Sequence, residues 1–423
     1  MDVVVKSADL AGSGIQHAHT VKAGPWIFLN GHEAYDFAQG LNVDVEGPLG
    51  FPSFGLPRFR READFVVRRA KTLLREQGSD LSRAVRIDQF YPTPEAVTSY
   101  HQTRRNEFGS YIPPSTSIIV QRCVGAHANL SMSLIAVRDE LGLSVNPHYP
   151  RGVEVPQGSS FAPAVTCGDF VFIAGHMAGA RELAPAAVVP ANVRWGASAI
   201  RRQAEEIIKG RLEPALEGAG TSLSASVKAQ AFVQGAANIP DFLDVWNQYF
   251  DSIPCALTVV PITSLALVGG IVEINLIAMT AENKLRKQVI ATSLPSMSAY
   301  GPCLRAGDFI FPSGLIALTE DGHVVGRADA TAFDALGHAA YVQSSRVLTM
   351  LNQICASAGV TLKNVVRAQY YLSNMPDLSA VHRAWQKQAD NIPHPFIAVE
   401  IPEPPLAHGA VMCGDFWIFA PVG

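Results

Sequence analysis

Three ionisable side chains in apolar surroundings have the chemistry for proton transfer. Glu273 interrupts the most apolar run of the chain, residues 265–279. Because an unpaired carboxylate is costly to bury, Glu273 needs either a structural partner or a catalytic role such as positioning a water as general base. His32 and His176 each follow a glycine at the end of a short apolar stretch. Since imidazoles titrate near neutral pH, each histidine either serves as a general acid or makes a structural hydrogen bond.

Metal binding is the second chemistry that the histidines suggest. His17 and His19, in the sequence Gln-His-Ala-His, share one face of a predicted strand, and His32 is the next histidine along the chain. No cysteine or acidic residue stands at metal-ligand spacing from them, so we predict neither a metal nor another cofactor. The six cysteines are scattered without a Cys-x-x-Cys pair, so we expect small core residues in a reducing compartment.

The elements that hold these residues occur three times in the chain. One repeated stretch combines a basic residue, a short apolar strand, a proline-led turn and an amphipathic helix, and its copies are residues 80–113, 222–254 and 361–395. A second repeated stretch reads WIFLNGHEA, FVFIAGHMA and FIFPSGLIA, beginning at Trp26, Phe170 and Phe309. Matching positions lie about 140 residues apart, which is longer than a solenoid repeat, so each copy is predicted to be a small domain.

Each copy is predicted to have the element order β-β-α-β-α-β-β. The hydrophobic period predicts the longer helix of each copy over residues 61–76, 198–217 and 332–358. It predicts closing strands over residues 116–120, 129–137, 258–262 and 270–279. The polar, proline-containing residues 140–159 and 282–296 are interpreted as linkers. Because helices cover one face of each sheet, we expect the other three faces to bury one another around a pseudo-threefold axis.

One loop of the first copy is much longer than its counterpart in the third. Residues 33–60 are rich in glycine, proline and phenylalanine, whereas residues 318–325 contain an Asp-Gly pair that predicts a tight hairpin. The longer loop is therefore either a pocket wall or a tolerated surface insertion.

Composition and charge favour a soluble globular protein. The chain has 423 residues, of which 48% are apolar and 17% charged, and a formal net charge of −4. No block of lysine and arginine stands out, which argues against a nucleic-acid or membrane-surface partner because such binding is largely electrostatic. The N-terminal residues lack the pattern of a signal peptide, and the most apolar run is too short and too polar to span a bilayer. We therefore expect a cytoplasmic protein.

Several short motifs of the second copy resemble one protein family. They are Phe161-Ala162-Pro163-Ala164-Val165, Ala174-Gly175-His176-Met177, Ser226-Val227-Lys228, Tyr249-Phe250, Pro254 and Val272-Glu273-Ile274. On these motifs the chain resembles the YjgF/YER057c/UK114 family, also called RidA, in three tandem copies. The resemblance implies a chorismate-mutase-like α+β fold with domains at residues 1–140, 155–282 and 296–423. Since family members form homotrimers with pockets between subunits, it implies a pseudo-trimer within one chain, itself a monomer or a weak homodimer.

The resemblance implies a function for which this chain lacks one residue. Family members hydrolyse reactive imines and enamines such as 2-aminoacrylate, and the arginine of a Pro-x-Arg-Ser motif clamps the substrate carboxylate. The matching positions here are Ser115, Ala256 and Ile397. Either the substrate has no carboxylate there, or the pocket has lost the activity, or another arginine replaces the missing one. The candidate replacements are Arg104, Arg122 and Arg305.

The resemblance also implies a deaminase- or hydrolase-type site that adds water to a small imine, enamine or enol-type metabolite. In this site Glu273 is the base or positions the water, and His32 or His176 is the acid. Polar contacts to the substrate are expected from His17, Tyr300, Ser115, Thr258 and His101, and from backbone N–H groups near Gly31 and Gly175. Because the copies differ at equivalent positions, one pocket is expected to be specialised. The alternative is a non-catalytic metabolite-binding or scaffold protein.

Overall fold

Three six-stranded sheets with the same strand order form the framework of the chain. The computed structural model describes residues 3–10, 14–36, 39–47, 55–156, 158–190, 192–193, 198–283, 287–291, 294, 303–327, 339–403 and 406–421. In each sheet the two strands that flank the shorter helix pair in parallel. The neighbouring strands of the sheets otherwise pair antiparallel, as in the hairpin that opens each unit. The result is a mixed α/β architecture built from repeated units.

The first unit contains a six-stranded sheet and three helices. Its strands are β1 (Val3–Asp9), β2 (Gln16–Ala23), β3 (Trp26–His32), β4 (Tyr35–Asp36), β5 (Gly40–Leu41), β6 (Ala84–Tyr91), β7 (Ser115–Ile119) and β8 (Ser131–Val137). Its helices are α1 (Val43–Glu46), α2 (Arg58–Glu76) and α3 (Glu95–Phe108). Helix α2 buries Ala63, Val67, Ala70 and Leu74, whose spacing keeps them on one face of a helix. The six strands of the sheet follow the order β1-β2-β3-β8-β6-β7.

The second unit repeats this order with a widened turn in its longer helix. Its strands are β9 (Asn146–His148), β10 (Ala164–Cys167), β11 (Phe170–Met177), β12 (Ser226–Gln234), β13 (Ala256–Ile262) and β14 (Val272–Met279). Its helices are α4 (Ala199–Ile207), α5 (Glu213–Gly218) and α6 (Ile239–Phe250). A π-helical turn, Ile208–Leu212, joins α4 to α5 directly before Pro214. Because proline has no N–H donor and its ring crowds the preceding turn, the wider turn accommodates it.

The third unit closes its sheet with the C-terminal strand. Its strands are β15 (Lys287–Ile290), β16 (Cys303–Ala306), β17 (Phe309–Phe311), β18 (Val365–Leu372), β19 (Phe396–Glu400) and β20 (Met412–Phe419). Its helices are α7 (Ala339–Ser357) and α8 (Leu378–Gln388). Strand β20 lies between β17 and β18, the position that β8 and β14 hold in the other sheets. The C-terminal strand is therefore the closing strand of the third sheet.

Each sheet has an edge strand that the sequence patterns do not predict. Strand β1 pairs with β2, β9 with β10 and β15 with β16. Strands β9 and β15 lie in residues 140–159 and 282–296, so the interpretation of these stretches as linkers only was wrong. Short, polar edge strands carry little hydrophobic alternation, and their pairing depends on backbone groups that the neighbouring strand offers.

The faces of the three sheets that are not covered by helices contact one another through equivalent aromatic residues. The first residues of the second repeated stretch are Trp26, Phe170 and Phe309, and their ring centroids lie 5.8 to 5.9 Å apart in all three pairings. Each of the three residues is at most 4% exposed. Burial of large rings from three sheets against one another provides an apolar core between the units.

A buried ionic network lies between the same sheet faces. It joins the three basic residues of the first repeated stretch to two carboxylates. Arg86 Nε lies 3.0 Å and Arg367 Nη2 2.7 Å from Asp88 Oδ2, and Lys228 Nζ lies 2.9 Å from Asp415 Oδ2. Burial pushes the pKa of Asp88 upward, but Arg86 and Arg367 outweigh it and hold the pKa below its usual value. Because a buried charge without a partner is strongly destabilising, these pairs require the three strands to meet in one arrangement.

Two properties of the described residues bear on the sequence-based expectations. All six cysteines are buried as free thiols, which fits their interpretation as core residues. Among the residues that the structure describes, no helix combines the length and the apolar character needed to cross a membrane.

Candidate functional site

Three equivalent junctions form where the opening strand of one unit meets the parallel strand pair of another. Gly31 lies against β19 of the third unit, Gly175 against Thr116 of the first, and Gly314 against Thr258 of the second. We call these the 3/1, 1/2 and 2/3 junctions. At Gly31 the φ angle is +59°, and a Cβ atom would come within 3.0 Å of the Phe396 carbonyl oxygen. Glycine is therefore needed for the close approach of the two strands.

The 3/1 junction contains a cavity of about 320 Å³. It lies between β1, β2, β3 and α2 of the first unit and β19 of the third. Apolar parts of its wall come from Leu10, Phe65, Val124, Phe396 and Ala398. The long loop of the first unit contributes Tyr35, Asp36 and Asn42, so this insertion forms part of the cavity wall.

Two buried imidazoles in the cavity wall are fixed by backbone carbonyl groups. His32 Nε2–H donates to the His19 carbonyl at 3.0 Å, and His17 Nε2–H donates to the Phe396 carbonyl at 3.2 Å. Burial lowers the pKa of His32 to about 3 and that of His17 well below its usual value. Both rings are therefore neutral at pH 7, and the lone pair of each Nδ1 is an acceptor. The described residues contain no group of three histidine, cysteine or acidic side chains arranged to hold a metal ion.

Glu33 provides a carboxyl group to the same cavity. It is only 6% exposed and accepts the backbone N–H groups of Gly125 at 2.7 Å and Val124 at 3.1 Å. Burial raises the pKa of Glu33 to about 7, although these N–H groups and Ser131 oppose the shift. A carboxyl group that gains and loses a proton near neutral pH suits general acid–base catalysis.

Glu33 is a residue that the sequence analysis did not single out. The pairing of His32 with Met132 makes Glu33 the neighbour of Ser131, and Ser131 is the first-unit equivalent of Glu273. In the second unit the pairing is Met177 with Glu273. The carboxyl group thus directly follows the opening strand β3 in the first unit, whereas in the second unit it lies on the closing strand β14. The sequence contains one indication of Glu33: when HEA (residues 32–34) is aligned with HMA (residues 176–178), Glu33 matches Met177.

Arg69 and Asp36 provide opposite charges at the mouth of the cavity. Arg69 lies on an exposed part of α2, and Asp36 belongs to the loop strand β4. Partial burial lowers the pKa of Arg69, while the negative charge of Asp36 opposes the shift. Arg69 in turn contributes to the lowered pKa of His32. The cavity mouth therefore contains a carboxylate and a guanidinium group that interact electrostatically.

Glu273 lies at the 1/2 junction, outside the lining of this cavity. It is 3% exposed, its carboxyl group covers Gly175, and it accepts a hydrogen bond from the backbone of Ser117. Burial raises the pKa of Glu273 to about 8. In the same junction Arg104 donates from Nη1 to Ser115 Oγ at 2.7 Å and from Nη2 to the Ser159 carbonyl at 2.5 Å. Arg104, one of the three candidate replacements, thus has its guanidinium at the family arginine position of this junction.

Strand register relates the positions of the three copies that were matched to the family arginine. The parallel pairs align Ser115, Leu257 and Phe396, which face Ile87, Ala229 and Ala368 respectively. The three positions matched to the family arginine in the sequence, Ser115, Ala256 and Ile397, are therefore not equivalent in strand register. The residues between proline and strand differ in number among the copies, and a displacement of one residue exchanges the faces of a strand. At the 3/1 junction Phe396 holds the register position of Ser115.

The other predicted site residues are distributed over several places. His176 shares a strand pair with Ile274, which directs it to the opposite face of the sheet from Glu273, and burial lowers its pKa to about 3. Thr258 accepts a hydrogen bond from Lys228 at 2.9 Å beside the 2/3 junction. His101 lies on α3 and does not line the cavity. Tyr300 lies outside the described residues. The cavity thus unites His17, Gly31 and His32 of the predicted set.

Comparisons with known proteins agree with the repeated units. The model of the family described as Endoribonuclease L-PSP matches residues 154–280 and 291–408, together more than half of the chain. The 3-aminoacrylate deaminase RutC of Acinetobacter baylyi is 28% identical over 91 residues, which are 22% of this chain and 64% of that relative. The chain therefore matches less than two thirds of the length of this relative.

Several solved structures are similar to parts of this chain. A YjgF/YER057c/UK114-family protein of Mycobacterium tuberculosis is 24% identical, with a TM-score of 0.24 over 30% of this chain and 97% of that chain. The YEO7 protein of yeast is 23% identical, with a TM-score of 0.27 over 32% of this chain and 99% of that chain. A chorismatase is 11% identical, with a TM-score of 0.48 over 80% of this chain and 93% of that chain. The family match, which covers more than half of the sequence in two places, shows that this chain belongs to the Endoribonuclease L-PSP or YjgF/YER057c/UK114 (RidA) family and contains repeated copies of its unit.

Proposed function

We propose that this protein is an enzyme that adds water to the C=N bond of a small imine, or of the enamine that tautomerises to it, in the cavity of the 3/1 junction. The observation that supports this proposal is Glu33, a buried carboxyl group in the cavity wall with a pKa raised to about 7. The relative from Acinetobacter baylyi is a 3-aminoacrylate deaminase, and deamination of an enamine is a reaction of the same type.

Glu33 can supply each proton transfer that the reaction needs. The protonated carboxyl group donates its proton to the imine nitrogen, which makes the carbon more electrophilic. The resulting carboxylate accepts a proton from the water that attacks this carbon, and a carbinolamine forms. Glu33 then returns the proton to nitrogen, the C–N bond breaks and the hydroxyl proton passes to the carboxylate. The products are an amine or ammonia and a carbonyl compound, so atoms and charges balance.

The same proposal includes a pseudo-trimer of three RidA-type domains around a specialised pocket. Three sheets of one strand order and three equivalent junctions support this arrangement. The junctions differ in chemistry: the 3/1 junction has Glu33, the 1/2 junction has Glu273, and the 2/3 junction has Ile316 and Cys413, which pack in one apolar cluster. We propose that only the first is adapted to this reaction.

The substitution Glu33→Gln tests the proposed function. It preserves the shape of the side chain but removes its acid–base chemistry, so kcat/KM should fall about 10²- to 10⁴-fold. The measurement is hydrolysis of 2-iminobutanoate, generated in situ by a dehydratase, and of N-benzylidenemethylamine, followed by release of benzaldehyde. The matched substitution Glu273→Gln removes the other junction carboxyl group and should reduce kcat/KM far less.

Two results would contradict the proposal. A large loss in Glu273→Gln with little loss in Glu33→Gln would move the reaction to the 1/2 junction. No acceleration of either imine by the wild-type protein would favour the alternative of a metabolite-binding or scaffold protein.

A further inference from the structure

The part of the 3/1 cavity wall that β19 contributes is apolar and contains no basic side chain. Phe396 holds the register position of Ser115, and its ring centroid is 4.3 Å from that of His17. Phe65 and Val124 extend the apolar surface. A phenyl ring contacts flat apolar groups favourably and leaves an anion without a hydrogen-bond donor.

Several polar groups of the cavity wall can act as hydrogen-bond acceptors. His17 and His32 each use Nε2–H for a backbone carbonyl, which leaves the Nδ1 lone pair as the remaining group. Glu33, Asp9 and Asp36 add carboxyl groups. Acceptors at neutral imidazoles and carboxylates are complementary to a ligand that carries several N–H donors.

The charges of the wall favour a cation over an anion. Among the described lining residues, Arg69 is the only lysine or arginine, and its charge is opposed by Asp36. Asp9 and Glu33 have no such counterpart in the wall. The sum of these charges is negative whenever Glu33 is ionised, so an anionic ligand would be repelled and a cationic one attracted.

The cavity volume indicates a ligand with a ring-sized body. A volume of about 320 Å³ lies at the lower end of the range of roughly 300–1,000 Å³ found for pockets that bind small organic molecules. A three-carbon amino acid would leave much of that volume filled with water. A ring that contacts Phe396 and Phe65, with a nitrogen substituent directed to the acceptors, would use both parts of the wall.

We propose that the ligand of the 3/1 cavity is a primary amine or iminium cation on a ring-sized apolar body, bound without a carboxylate clamp. This inference rests on the same cavity as the proposed function and names its substrate class. The iminium form is the state that the imine reaches when Glu33 donates its proton, so the acceptors that bind the cation also favour the reactive form of the substrate.

Isothermal titration calorimetry with two probes of opposite charge tests the inference. Benzylammonium and benzoate carry the same ring, and the wild-type protein should bind benzylammonium at least about tenfold more tightly at pH 7.5. Acetate and methylammonium serve as probes without the ring and should bind more weakly than their ring-bearing counterparts. Equal or tighter binding of benzoate would overturn the inference.

Three variants test which residues cause the preference for benzylammonium over benzoate. Asp36→Lys reverses a charge at the exposed mouth, where folding is little affected, and should weaken benzylammonium about tenfold or more. Asp44→Lys makes the same change on α1 outside the cavity lining and should change the affinity by less than about twofold. Phe396→Arg introduces a guanidinium group into the wall and should shift the binding preference from benzylammonium towards benzoate. A benzylammonium affinity that Asp36→Lys and Phe396→Arg leave unchanged would show that the cation binds elsewhere and would refute the assignment.

Failure of this inference can be distinguished from failure of the proposed function. Hydrolysis of 2-iminobutanoate that depends on Glu33, combined with a preference for benzoate, would retain the reaction and reject the cationic substrate class. Selective binding of benzylammonium without hydrolysis of any imine would retain the ligand class and reject the enzyme.

Discussion

At the scale of single residues, the two buried glutamates of the junctions differ in whether they line the 3/1 cavity. Burial raises the pKa of Glu33 to about 7 and that of Glu273 to about 8. Both groups could therefore exchange protons near neutral pH. Glu33 lines a cavity of about 320 Å³, whereas Glu273 covers Gly175 and is not part of that lining. The position of Glu33 in the cavity wall, and not its pKa, makes it the stronger candidate for the proposed acid–base role.

The pKa of Glu33 predicts the pH dependence of imine hydrolysis. The free enzyme must hold the proton that it donates to the imine nitrogen, and raising the pH removes this proton. We expect kcat/KM to be constant below pH of about 7 and to fall about tenfold per pH unit above it. The pH–rate profile should retain this break in Glu273→Gln and lose it in Glu33→Gln. A break that disappears in Glu273→Gln instead would contradict the assignment.

At the scale of elements, the close approach of β3 to β19 builds the cavity. Gly31 permits this approach because its backbone is left-handed and its missing Cβ leaves space for the Phe396 carbonyl. That carbonyl also accepts the hydrogen bond of His17, so strand contact and imidazole orientation depend on the same backbone group. The loop after β3 then contributes Tyr35 and Asp36 to the wall.

The substitution Gly31→Ala should destabilise the 3/1 junction. A left-handed backbone costs alanine about 1–2 kcal/mol, and the Cβ contact at 3.0 Å adds to this cost. Gly78→Ala is the matched control, because Gly78 has a φ of +76° with nothing within 4 Å of the added Cβ. Urea denaturation should show a free energy of unfolding that falls further for Gly31→Ala, by about 1–3 kcal/mol. Equal losses in both variants would show that the junction contact has no energetic role.

At the scale of the whole molecule, the ionic network between the sheets uses different residues in each unit. Arg86, Lys228 and Arg367 are equivalent, but the carboxylates are Asp88 of the first unit and Asp415 of the third. A fused chain can assign separate residues to each unit, which three identical subunits cannot do. This asymmetry accompanies the different chemistry of the three junctions.

The closed arrangement of three sheets predicts a monomer in solution. The aromatic core and the ionic network are satisfied within one chain, so no further copy is needed to cover those sheet faces. Sedimentation velocity should give the mass of a single chain at micromolar concentration, with at most weak dimerisation at higher concentration. A stable dimer or trimer at micromolar concentration would show that other faces of the chain associate.

Local pattern predicted most elements but not their partners. The predicted helix over 61–76 agrees with Arg58–Glu76, and the predicted strand over 270–279 with Val272–Met279. Strands β9 and β15 were missed because their pairing depends on an edge offered by a neighbouring strand. The alignment of Ala256 with Ser115 failed because register is fixed by backbone pairing between strands distant in sequence.

The sequence alone determined the three-fold repeat, the family and the alternation of buried and exposed positions, because each depends on residues that are near one another in the chain. Only the tertiary structure decided which junction encloses a cavity and which carboxyl group enters it. Glu33 acquires its environment from Val124, Gly125 and the cavity that Phe396 closes, residues that are distant in sequence. Burial and hydrogen bonding set its chemistry, and both are properties of the folded packing and not of the local sequence.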